Sequence, residues 1–137
     1  MNVRFLQADD IFISYSRGDA STYAPGLADR LIQAGVSCFI DRYGTDPDRD
    51  LPETLKARIR SCSMFVLIAT ARAAGSEAIE QEIVEFRKTG RASRIVPIDV
   101  DGSLATARWL PLVEGIASEP ERNPDALTDG NPSDAVV

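Results

Sequence analysis

Histidine is missing altogether from the 137 residues. That absence removes Ser-His-Asp and Cys-His nucleophilic schemes, HExxH zinc sites and all imidazole acid–base work. Any enzyme chemistry must rest on Asp, Glu, Lys, Tyr or a hydroxyl. No apolar run approaches the ~18 residues of a membrane span, and the opening MNVRFLQADD has no signal-peptide core. A cytoplasmic chain without membrane contact is therefore expected. Basic stretches are lacking too: the net charge is −6, which argues against nucleic acid as a partner. An anionic ligand would have to be met by locally placed arginines. Cysteine is scarce, and Cys38 and Cys62 sit in apolar segments without metal-ligand spacing. They read as small core residues kept reduced, and no metal site is expected. Neither a GxGxxG fingerprint nor a P-loop occurs, which disfavours a Rossmann-type cofactor site.

What is present is the make-up of a single globular domain, 44% apolar and 26% charged. Strand-like and helix-like segments alternate along it. DIFISYS (10–16), VSCFI (36–40), SMFVLIA (63–69) and RIVPIDV (94–100) read as strands, with LVEGIAS (112–118) a weaker fifth. Tyr23, Leu27 and Leu31 mark a first helix, with Asp19 or Ser21 as its expected cap and Gly35 as its stop. Asp50 and Glu53 form a capping-box pattern ahead of the Leu51, Leu55, Ile59 and Cys62 stripe. Short links between these segments predict a doubly wound parallel α/β sheet with right-handed crossovers. Pro97 in the fourth strand implies an edge-side or bulged position, and Trp109 reads as a core plug. From 119 onward the chain is acidic, proline-rich and aperiodic. It is expected to be a linker or tail, leading into a short helix after Ser133 or into further domains of a longer protein.

One segment raises a chemical question. SEAIEQEI (76–83) places three glutamates in eight positions. Ile79, Ile83 and Phe86 define its buried stripe. At about 100° per residue, Glu77 falls opposite that stripe and Glu80 roughly a quarter-turn off it. Glu82 lies only about 60° from the centre. It is the carboxylate nearest the apolar seam.

DIFISYSRGD, GVSCFIDR, a turn-rich loop closing in DLPETLKARIRSCSMFVLIAT, then SEAIEQEI and RIVPI resemble a Toll/interleukin-1 receptor (TIR) domain, in sequential order. The resemblance covers roughly residues 9–118 and extends to the TIR domains that cleave NAD. It implies a flavodoxin-like five-stranded parallel sheet in the order 2-1-3-4-5, with helices on both faces, for a domain spanning 1–118. The loop at 41–50 would be the family's BB loop, with Asp46, Pro47, Asp48 and Arg49 used in assembly. Its length exceeds the usual link of about 2–6 residues.

Enzymatic members break the nicotinamide–ribose bond with a glutamate from a pattern resembling S-x-W-x-x-x-E. Ser76 and Glu82 match it, so the resemblance assigns the catalytic role to Glu82. Ala78 stands where the pattern has tryptophan, and Asp48 where the loop usually has glycine. The lost aromatic leaves three outcomes open: weaker activity, another stacking partner, or none. Candidate substrate contacts are Tyr15 as an aromatic face, Ser16, Arg17 and Arg42 for the diphosphate, Asp41 for a sugar hydroxyl, Ser76 and Ile79. NAD would be a substrate and not a retained cofactor. The expected partners are NAD and other TIR domains, associating into open filaments and fused to other domains. Two alternatives remain: a non-enzymatic interaction module, and a nucleoside deoxyribosyltransferase-like enzyme.

Overall fold

The computed structural model describes residues 10–40, 51–134 and 136. Asp41, Arg42, Asp46, Pro47, Asp48, Arg49 and Asp50, all of which carry expectations above, lie outside them. Five parallel strands form one sheet: β1 (Ile11–Ser14), β2 (Cys38–Ile40), β3 (Met64–Ala69), β4 (Ile95–Asp99) and β5 (Glu119–Pro120). Their order is β2-β1-β3-β4-β5, the expected one. Helices α1 (Tyr23–Gln33), α2 (Glu53–Ser61), α3 (Ala71–Ala74), α4 (Glu77–Arg87) and α5 (Ala126–Asp129) complete the flavodoxin-like layers. Among the described residues no helix is long and apolar enough to cross a membrane.

Strand periodicity sorts the core onto the two sheet faces, because successive side chains point opposite ways. Phe12, Phe65, Leu67 and Ala69 pack with Ile59, Ile79, Ile83, Phe86 and Trp109 under α2, α3 and α4. Ile11, Ile13, Val66, Ile68 and Ile98 pack with Tyr23, Leu27 and Leu31 of α1. A row of rings crosses the first face. Phe12 stacks on Phe39 and on Phe65, each at 5.5 Å between centroids, and Phe65 meets Phe86 at 5.4 Å. Each buried ring contributes about 1.5–3 kcal/mol by leaving water, which fixes the register of β2, β1 and β3 against α4.

Local signals explain most element ends. Gly35, at φ 91°, follows α1. The Val36 N–H reaches the Leu31 carbonyl and the Gly35 N–H the Ile32 carbonyl, the paired closure of a Schellman motif. Ser76 caps α4, its hydroxyl accepting from the Ile79 N–H at 3.1 Å. Other caps differ from expectation. Thr22 precedes α1 without a side-chain bond, and Asp19 bonds Thr70 and Arg72 and does not cap the helix. Helix α2 starts after Pro52, whose extended backbone (ψ 144°) makes it the cap residue. Glu53, the first residue of α2, bonds Arg60 on its own helix, and the capping box expected with Asp50 lies outside the described residues. The short α3, which sequence periodicity did not suggest, is capped by Thr70.

The largest correction concerns the fifth strand. Residues 112–118 hold no strand, and a 3-10 turn covers Leu110–Leu112. Strand β5 comes later, pairing Glu119 with Ile98 and Pro120 with Asp99. It leaves Pro97 beyond its reach, consistent with the edge-side position its missing N–H requires. The short helix is α5 at 126–129, not after Ser133. The stretch read as a tail therefore folds back over α1. Ala126 is buried there, and Arg30 bonds Asp134 at 2.7 Å and the Pro132 carbonyl. The Tyr23 hydroxyl donates to Glu121 at 2.5 Å.

Burial raises the Tyr23 phenol well above its usual range, with the Glu121 bond adding to the effect. Burial also opposes ionisation of Glu121, but donation from Tyr23, Asn123 and Ser133 outweighs it and lowers the pKa. A lowered carboxylate stabilises the fold above its unfolded pKa and loses that effect as pH falls through the folded value. A raised phenol stabilises below about 10 and loses the effect at higher pH. Thermal melts across pH should show the parent's advantage over Glu121→Gln fading below about pH 4. An advantage that stays constant as pH falls would contradict this contact.

Candidate active site

Ser14 closes β1, two positions after Phe12 and so on the same sheet face, the one that α4 covers. Its side chain is fully buried. Its hydroxyl donates to Glu82 Oε1 at 2.7 Å, joining residues 68 positions apart. Glu82 is 7% exposed, on the second turn of α4. A buried carboxylate is costly unless hydrogen-bonded, and Ser14 supplies part of that compensation. The result is a hydroxyl–carboxylate pair held at the carboxyl end of β1. Open α/β sheets bind ligands at that edge, where strand order reverses between β1 and β3.

The loops around this edge are tied together. Asp19 accepts from the Thr70 hydroxyl at 2.7 Å and from the Arg72 N–H at 3.0 Å. Thr70 is fully buried and ends β3. The β1–α1 loop is thereby pinned to the start of α3. Trp109, also fully buried, donates its ring N–H to the Ala73 carbonyl at 2.8 Å. That bond fixes α3 from the opposite side.

The other glutamates of α4 separate as expected, with one addition. Glu77 is exposed, and Glu80 pairs with Arg108 at 3.2 Å. Glu85 is slightly more buried than Glu82 and lies against α2. It bonds Arg60 at 2.7 Å and Lys88 at 3.1 Å. Burial pushes its carboxyl up, but those two cations outweigh the effect and bring it below the usual range. Its partners make it a helix–helix tie.

The remaining candidates scatter. Tyr15 and Ser16 are half-buried at the mouth of β1, and Arg17 is exposed. The Ser16 hydroxyl accepts from the Gly18 N–H at 3.3 Å and shapes the loop. Ser76 is occupied in capping α4. Ile79 is 2% exposed and packed in the core, where it supports α4 from below. Ala78, half-buried, lies one turn before Glu82. Sequence reasoning passed over Ser14, Thr70 and Arg72. The in–out alternation of β1 carried a signal for the first, since a hydroxyl on the Phe12 face needs a partner. Burial raises the Cys62 thiol to about 11, the state of a core residue and not of a nucleophile.

A family model described as TIR domain matches residues 11–127. This chain belongs to the TIR domain family. A curated relative from Brachypodium distachyon, the probable 2' cyclic ADP-D-ribose synthase BdTIR, is 32% identical over 93 residues. Those residues are 67% of this TIR domain but only 41% of that relative. The solved TIR domains of the activated Roq1 resistosome, which directly recognises the pathogen effector XopQ, give a TM-score of 0.58 at 22% identity. The match spans 72% of this TIR domain and 61% of that chain, and at such identity the likeness is one of fold.

Proposed function

We propose that this TIR domain cleaves the nicotinamide–ribose bond of NAD, with Glu82 as the catalytic carboxylate. The products are nicotinamide and ADP-ribose or a cyclic ADP-ribose. The observation that carries the reading is the buried Glu82, held by Ser14 at the sheet's ligand-binding edge. The relative named for cyclic ADP-ribose synthesis supports the substrate class.

In the proposed step the C–N bond breaks with its electron pair passing to the pyridine nitrogen, and neutral nicotinamide leaves. The anomeric carbon develops oxocarbenium character, as in glycoside hydrolysis. Glu82 stabilises that charge and accepts hydrogen bonds from ribose hydroxyls. Water, or a hydroxyl of the same molecule, then adds to the carbon and releases a proton to solvent. Since nicotinamide is a good leaving group, no general acid is required. A chain without histidine can perform this chemistry.

Activity is proposed to depend on association of several TIR domains, as the assembled state of the Roq1 neighbour suggests. Concentrated or artificially clustered protein incubated with NAD should release nicotinamide. No release from the clustered protein would overturn the enzymatic reading. It would favour the interaction module, which Ala78 at the expected tryptophan position supports.

Ser14→Ala should lower nicotinamide release by about ten-fold, chiefly in kcat. Without its donor the carboxylate loses one hydrogen bond, worth roughly 1–2 kcal/mol. Steady-state kinetics check this, and an unchanged kcat would mean that Ser14 does not position Glu82.

A further inference from the structure

Arg72 is presented to the same edge by an arrangement the catalytic reading leaves unexplained. Its backbone N–H is held by Asp19. Its side chain lies across Gly18, so closely that a Cβ there would stand 2.7 Å from Cδ, 3.2 Å from Nε and 3.3 Å from Nη1. A side chain at position 18 would push this arginine away from the β1–α1 loop. Arg17, the adjacent residue, is also exposed.

The charges around it are unbalanced. Arg30, Arg60 and Arg108 each pair with a carboxylate. Among the described residues no carboxylate pairs with the guanidinium of Arg17 or Arg72. Asp19 is the acid of the β1–α1 loop, and both its oxygens bond to neutral donors, the Thr70 hydroxyl and the Arg72 N–H. Arg72 lies against Gly18, the residue after Arg17, which brings two cations to one loop of a chain of net charge −6. Gly18 follows the end of β1 and Arg72 follows the end of β3, so the two lie where the strand order reverses.

We infer that Arg72, laid over Gly18, is a binding residue for the diphosphate of the substrate, beside Arg17. This rests on the NAD reading and names the anion contact within it. Guanidinium groups suit a diphosphate because they can donate paired hydrogen bonds to its oxygens. Asp19, itself bonded to Thr70, holds the Arg72 backbone before ligand arrives, which lowers part of the ordering cost of binding.

The test titrates ADP-ribose calorimetrically into the parent, Arg72→Ala, Gly18→Ala and Arg94→Ala. Arg94 is exposed just before β4, and its loss changes net charge by the same amount. Arg72→Ala should bind about ten-fold more weakly, the size expected for one charge-assisted contact. Gly18→Ala should weaken binding in the same direction by displacing the arginine, and Arg94→Ala should stay within about two-fold. Equal affinity of Arg72→Ala and parent, an equal loss in Arg94→Ala, or no binding by the parent would overturn the inference. Nicotinamide release followed in parallel separates the two readings. Arg72-dependent binding without release keeps the contact and removes the cleavage. Release with a KM indifferent to Arg72 does the reverse.

Discussion

Glu82→Gln is expected to reduce nicotinamide release by ~10²–10³-fold, the effect of removing one preorganised charge from a partly water-excluded site. The substitution keeps shape and leaves an amide oxygen to accept from Ser14 at the place where Oε1 now stands, 2.7 Å away. It removes only the negative charge. Melting temperature should therefore move little while kcat falls, and the contrast distinguishes chemistry from folding. Glu80→Gln is the matched control. Glu80 sits on the same helix but forms an exposed ion pair with Arg108, and its removal should change release by less than about three-fold. Undiminished release by Glu82→Gln would transfer the catalytic role to a different group. A large fall in melting temperature would instead assign Glu82 to the core.

The largest expected effect on stability is that of Trp109→Ala. The indole is fully buried and bonded to the Ala73 carbonyl. Truncating it should cost about 3–5 kcal/mol, because the cavity left behind collapses only in part. Urea denaturation would measure that loss directly. Trp109→Phe should cost less, retaining most of the packing but leaving the Ala73 carbonyl without its donor. Since Ala73 belongs to α3, which also bears Arg72, both variants should disturb the proposed site. A Trp109→Ala loss under about 1 kcal/mol would mean that the surrounding core refills the space.

The strands and helices legible in the sequence were those with strong local causes. Phe65, Val66, Leu67 and Ile68 form a continuous apolar run because β3 is buried on both faces. Gly35 marks a helix end because only a positive φ closes that turn without strain. Glu82 could be singled out because a wheel converts spacing into burial. What escaped was decided between distant segments. Asp19 looks like a helix cap in isolation, yet Thr70, 51 positions away, draws its carboxylate to β3. Glu85 lies well off the apolar stripe, and α2 buries it by supplying Arg60. Strand β5 is two residues long, too short for any alternation to show. Its existence depends on the free edge of β4 and on the packing of the following segment against α1.

That packing has a practical corollary. A Cβ at Gly26 would fall 1.9 Å from the Gly130 oxygen, so helix and returning chain touch backbone to backbone with no room for a shim. A fragment trimmed at 118 would strip β4 of its outer neighbour and uncover the greasy flank of Tyr23, Leu27 and Ala28. Such a truncation should turn a soluble preparation sticky, and any clustering it then showed would reflect a torn surface instead of a native mode of assembly.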